Sequence, residues 1–289
     1  MSHITWSESA NLHQPMMVAA FTGWNDAGDA ASLAVRHLIA VTGAKKIGIV
    51  EPDEFYDFQS SRPQARLNNG TRVVVWPAVE IYAASTPAGD LLLLIGVEPQ
   101  LRWQSFCRQF TDLAVSLKSP LAITFGALLA DVPHTRPTNV IGSSSDPACL
   151  TKYHLGQSLY EGPTGIVGVL NTAFSQCGVP AISLWATVPS YVSNTASPKA
   201  ALALLARFST IAPRPLMLDG LQQASREYER DVTCAVNEDD DLVEYVQRLE
   251  HLADHAEPED LEPEGLPDSP AAAEEFVSEV EKFLRDQNG

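Results

Sequence analysis

The chain has 289 residues, 36 acidic against 19 basic side chains, a formal net charge of −17 and 45% apolar residues. Residues 1–218 carry 14 charges of each sign, whereas residues 219–289 carry 22 acidic and 5 basic residues, so the net charge sits in the last quarter. An acidic region repels phosphate backbones and the neutral body has no basic cluster, which excludes nucleic acid as the expected partner.

The length suggests one or two domains. Met1 to Pro15 has neither a basic start nor an apolar signal core. No apolar run reaches the roughly 20 residues that span a bilayer, so the expected location is the cytoplasm. The first strand is expected over Met16–Phe21. Asp26 to Val41 follows with apolar residues at 27, 30, 31, 34, 38 and 41, which is helical spacing. Further strands are expected at Ile47–Val50, Val73–Val75, Glu80–Ala83, Leu91–Gly96, Leu121–Phe125 and Ala181–Ala186. Several are continuous apolar runs, as in strands buried on both faces. Asn69-Gly70 between extended segments is a hairpin turn, because both residues tolerate positive φ. Helices are expected at Arg102–Leu117, Thr164–Gln176 and Pro198–Ser209. This alternation predicts an α/β fold with a mainly parallel sheet and at least one antiparallel hairpin.

Beyond the core domain, 1–218, the pattern is helical and acidic. Residues 219–256 read as a helical extension with apolar stripes at 221, 224, 228, 232 and 235 and at 242, 245, 246, 249 and 252. Residues 257–270 hold four prolines among acidic residues and read as a flexible linker. Residues 271–289 hold a terminal amphipathic helix whose Phe276, Val280, Phe283 and Leu284 form one apolar face. That face is a candidate interaction surface.

Three loops concentrate polar chemistry. Gly23-Trp24-Asn25-Asp26-Ala27-Gly28-Asp29 leaves the first strand, where open α/β folds place ligands. Its Asp26 and Asp29 read first as helix caps and second as carboxylates at a crevice mouth, and Trp24 as a staple or a pocket wall. Asp131-Val132-Pro133-His134-Thr135-Arg136-Pro137 sets His134 and Arg136 on a proline-stiffened loop. There Arg136 either binds an anion or pairs with Asp131. Glu161-Gly162-Pro163-Thr164-Gly165 leads into a helix with Thr164 as its expected N-cap. The ligand-binding candidates are therefore Trp24, Asn25, Asp26, Asp29, His134, Arg136, Glu161 and Thr164. Five of them, Trp24, Asn25, Asp26, His134 and Thr164, are expected around one crevice. No nucleotide-binding glycine fingerprint is present. Cys107, Cys149, Cys177 and Cys234 show no metal spacing. Neither a cofactor nor a metal is expected, and no catalytic residue stands out.

Three blocks carry a resemblance. They are Gly23 to Ala31, Gly126 to Pro137, and the stretch from Glu161-Gly162-Pro163-Thr164-Gly165 to Trp185-Ala186-Thr187-Val188-Pro189-Ser190-Tyr191-Val192. In this order they resemble the proteasome assembly chaperone two family, in its bacterial, actinobacterial-looking branch. The resemblance spans most of residues 16–260. It implies a three-layer α/β/α sandwich of the phosphorylase and hydrolase type, and a non-catalytic assembly or interaction protein with a proteasome-related partner. The rival reading is a small-molecule enzyme of hydrolase or phosphorylase type using loops 23–29, 131–137 and 161–165. A homo-oligomer is expected, with a trimer as first choice, by analogy of fold and because the stripe on 219–252 needs burial.

Overall fold

The computed structural model describes residues 3–255. The linker expected at 257–270, the amphipathic helix expected at 271–289 and its candidates Phe276, Val280, Phe283 and Leu284 lie outside the described residues. In chain order the elements are β1 (Ile4–Trp6), β2 (Met16–Thr22), α1 (Ala30–Thr42), β3 (Lys45–Val50), β4 (Gln64–Asn68), β5 (Thr71–Val75), β6 (Val79–Ala84) and β7 (Leu91–Val97). They continue as α2 (Trp103–Ser116), β8 (Ala122–Ala130), β9 (Val140–Ser143), α3 (Pro147–Tyr153), α4 (Ile166–Gln176), β10 (Ala181–Pro189), α5 (Pro198–Ile211), α6 (Asp219–Val236) and α7 (Asp240–His255). Residues 3–158 and 164–255 form one compact unit, and Leu159–Pro163 falls outside it.

The apolar runs line up in an eight-stranded sheet ordered β1-β3-β6-β7-β2-β8-β10-β9. Its centre, β7-β2-β8-β10, is parallel, and antiparallel strands flank it on both sides. The strand period of two sorts the side chains into two cores. Val18 and Ala20 of β2, with Leu91, Leu93 and Ile95 of β7, pack under α1 and α5. Met17, Ala19 and Phe21, with Leu92 and Leu94, pack under α2 and α4. Helices cover both faces, so the three-layer sandwich is the observed architecture. The continuous apolar runs follow from it, because neither face of the central strands meets water.

Three differences from the sequence expectation have local causes. Helix α1 begins at Ala30 instead of Asp26, because Gly28 (φ 57°) and Asp29 (φ 51°) take left-handed conformations inside a 3-10 turn. Strands β8 and β10 run on to Ala130 and Pro189, pairing over nine residues each. β1, β9 and α3 are elements beyond the sequence expectation, short and mostly half-buried or exposed, so they carry no apolar run or stripe. Most of the stripe on 219–252 is covered within the chain: Tyr228, Val232, Val236 and Val246 pack with Tyr191, Val192, Leu242 and Val243, while Leu252 at its end stays exposed. That stripe therefore gives no argument for an oligomer. No helix of the described residues is long and apolar enough to cross a membrane.

Candidate functional site

From β2 the chain builds one side of the sheet, through β3, β6 and β7, and returns at β8 to build the other. The carboxyl ends of β2 and β8 therefore flank the switch point where α/β sheets open a ligand crevice. Strands β2 and β8 pair from Met17–Ala122 to Ala19–Thr124. Beyond that they part, and the turn after β2 enters the gap. The Ala127 N–H donates to the Asn25 carbonyl at 2.8 Å, and Asp26 bridges Ala127 in parallel register. The chain's own backbone occupies the opening.

The Asn25 side chain completes the closure. It is 0% exposed, and its amide Nδ2 donates to Glu98 Oε1 at 2.7 Å. The same Glu98 oxygen accepts the Ile166 N–H at 2.9 Å, in the first turn of α4. One carboxylate, placed just past β7, thus ties the β2 turn to a helix terminus where negative charge is favoured. Asn25 Oδ1 is buried without a hydrogen-bond partner. It lies so close to Gly165 that a Cβ there would sit 2.0 Å away. Only glycine lets α4 approach this turn. Asp26 Oδ1 accepts from the Ala31 and Ser32 amides at 2.7 and 3.1 Å, which caps α1 from inside the protein. Burial raises the Asp26 carboxyl above its ordinary pKa of 3.8, against the pull of those amides.

The loop after β8 is tied differently. Thr233 Oγ1 donates to the Glu229 carbonyl at 2.7 Å, so it accepts from His134 Nε2 at 2.9 Å. The Tyr191 hydroxyl accepts the His134 backbone N–H at 2.7 Å and donates to His134 Nδ1 at 2.8 Å. In the neutral imidazole these partners put the proton on Nε2 and leave Nδ1 to accept from Tyr191. Burial, then the Lys199 ammonium, hold its pKa below the ordinary 6.5, while Glu229 and Glu250 pull the other way. Arg136 grips Asp254 with two bonds, 2.7 and 2.8 Å, and reaches Glu250 at 3.3 Å. Its carboxylate partners are on α7, so of the two sequence alternatives the Asp131–Arg136 pair is not formed. Asp131 instead accepts from Ser190 and Tyr245 hydroxyls, both at 2.9 Å. This loop is the anchor of α6 and α7.

The candidates thus fall into two hydrogen-bonded groups on neighbouring strands. Asn25, with Glu98 and Ile166, makes one; His134, with Tyr191 and Thr233, makes the other. Asp26, beside Asn25, caps α1. Trp24 is 56% exposed beside the first group. Asp29 is exposed in the turn before α1. Thr164 is exposed, and Gly165 holds the N-cap position of α4 in its place, because Glu98 already accepts the first-turn amide. Glu161 is exposed in Leu159–Pro163. Sequence reasoning missed Glu98 and Tyr191's partnership with His134. The available signal for Glu98 was its position directly after an apolar strand. Among the described residues no group of three or more His, Cys, Asp or Glu is placed to hold a metal ion.

A family model described as the PAC2 family matches residues 20–235. The chain is similar to a PAC2 family protein from Streptomyces avermitilis MA, at 41% identity and a TM-score of 0.75, over 80% of this chain and 99% of that one. It is equally similar, at 41% identity and a TM-score of 0.73 over 80% and 99%, to a proteasome-assembly chaperone homologue from Mycobacterium tuberculosis. An archaeal proteasome activator from Pyrococcus furiosus shares the fold, with 18% identity and a TM-score of 0.66 over 80% of this chain and 97% of that one. No curated protein matches the chain at a comparable level. With three quarters of its residues inside the family model and two relatives at 41% identity, the chain belongs to the PAC2 family.

Proposed function

We propose that this chain is a non-catalytic assembly or interaction protein with a proteasome-related partner, working as a homo-oligomer, a trimer in the first instance. The observation that carries the reading is the closed switch point. The backbone of Asn25 and Asp26 pairs with Ala127 where a substrate would enter. An enzyme of this fold needs that opening; a scaffold fills it with its own groups. The second enzymatic loop, 131–137, spends its polar groups on α6 and α7. The hydrolase or phosphorylase reading is accordingly not favoured. The partner class is supported by the relative named as a proteasome-assembly chaperone homologue.

The test mixes the purified full chain with purified, unassembled proteasome subunits from the same cell and follows complexes by analytical ultracentrifugation. The reading expects a co-sedimenting species at micromolar concentration. It is overturned if no complex forms with free subunits or with assembled particles.

A further inference from the structure

Strands β4 and β5 form a two-stranded sheet of their own, apart from the main sheet. Their side chains do not join either core. Every residue of β4 is exposed, and so is every residue of β5 except Val73. Leu67 is 76% exposed, Val74 53% and Trp76 49%. At the base, Trp76 meets Phe58 edge-on at 4.7 Å between ring centroids. An isolated two-stranded ribbon is marginal in water, and its open edges and apolar surface invite another chain.

The charge of this arm says which chain. From Phe58 to Ala78 it carries Arg62, Arg66 and Arg72 and no carboxylate, within a protein of net charge −17. All three arginines are exposed. Residues 219–255 carry the opposite balance, 11 acidic and 3 basic side chains. Their outward positions include Glu227, Asp231 and Glu244, and Leu252 offers an apolar contact at 60% exposure.

We propose that the β4–β5 arm docks on the α6–α7 helices of a second copy of this chain through the face that Leu67, Arg72, Val74 and Trp76 share by register, covering the three apolar side chains and setting Arg72 against carboxylates. Pairing arm with arm would oppose three arginines with three arginines, a like-charge contact that costs affinity. Arm on body avoids this and is heterologous, a contact that builds a ring of copies where the rotation between them closes. The inference names the contact surface of the homo-oligomer and is independent of any proteasome-related partner.

The test is light scattering on the full chain at micromolar concentration, with hydrogen exchange of residues 64–76. The expected mass is a small multiple of 31.3 kDa, with slow exchange in the arm. Leu67→Ser with Trp76→Ser, and separately Arg72→Glu, should each return one-copy mass and fast exchange in the arm, with a melt that stays cooperative and shifts down by no more than the lost association. Combining Arg72→Glu with Glu227→Arg and Asp231→Arg in one chain should restore assembly. A wild-type mass of one copy overturns the proposal, as does an oligomer that both arm variants leave intact. An oligomer broken by the apolar variant but indifferent to charge reversal overturns the α6–α7 assignment. Arm protection at one-copy mass that vanishes in a Phe276→Ala, Phe283→Ala chain overturns it in favour of the chain's own terminal residues.

Discussion

The turns leaving β2 and β8 start from the same place, the carboxyl ends of neighbouring parallel strands, and both are crowded with polar side chains. They use those side chains in opposite directions. The β2 turn folds inward: Asn25 fills the gap beside Ala127 and is held by Glu98, while Asp26 caps α1. The β8 loop reaches outward: His134, Arg136 and Asp131 hold α6 and α7. Polar density at a strand end therefore does not identify a ligand site. What matters is how many of those groups already have protein partners, and here most do.

The strongest way to break this contrast is at Glu98. Glu98→Ala strands the Asn25 amide and the Ile166 N–H together, with an expected loss of about 3 kcal/mol of stability. Glu98→Gln keeps one acceptor and should lose about 1 kcal/mol. Urea unfolding of both variants checks this, and equal losses would mean that Glu98 does not bridge the two elements. Next is Gly165→Ala, whose methyl would collide with Asn25 Oδ1 and force α4 or the turn to shift. A loss of about 2 kcal/mol is expected, again by urea. An unchanged midpoint would place Asn25 elsewhere.

The outward loop is sharpened by acid. His134 has a folded pKa below its unfolded 6.5. Its contribution is therefore complete above pH 6.5 and is lost as pH falls through 6.5 toward the folded value. The helices it holds should feel this first. Hydrogen exchange of residues 240–255, normalised for intrinsic rate, should rise between pH 7.5 and 5.5, and the rise should be absent in His134→Gln. The smallest effect is expected at Asp26, whose folded pKa is raised above 3.8 by burial. Its stabilisation is complete below pH 3.8 and declines as pH rises through the folded value. Asp26→Asn keeps an oxygen for the Ala31 and Ser32 amides without that cost. Its stability relative to the parent should improve from pH 4 to pH 7, and a widening deficit would contradict the shift.

The sandwich was legible because its central strands are continuous apolar runs and its helices carry clear 3.6-residue spacing. Met16–Phe21 and Leu91–Gly96 need no tertiary information to be recognised. The loops were legible as places and not as roles. Asp26 could be read as a cap, since its partners Ala31 and Ser32 are local in sequence. Glu98 could not, because Asn25 and Ile166 lie 73 and 68 residues away. The same distance hid the Arg136–Asp254 grip, 118 residues apart, behind a nearer pairing with Asp131. Long-range partnerships decide which polar residues are free to meet a ligand, and spacing alone carries no trace of them.

The switch point between β2 and β8 is closed by the chain itself. The most direct measurement is a crystal structure of the full chain purified from its own cells without added ligands, read at the gap between Gly23 and Ala127. Density for Asn25 and Asp26 alone is expected, with Asn25 Nδ2 on Glu98. Density for a bound small molecule there, with Asn25 swung out of the gap, would contradict it.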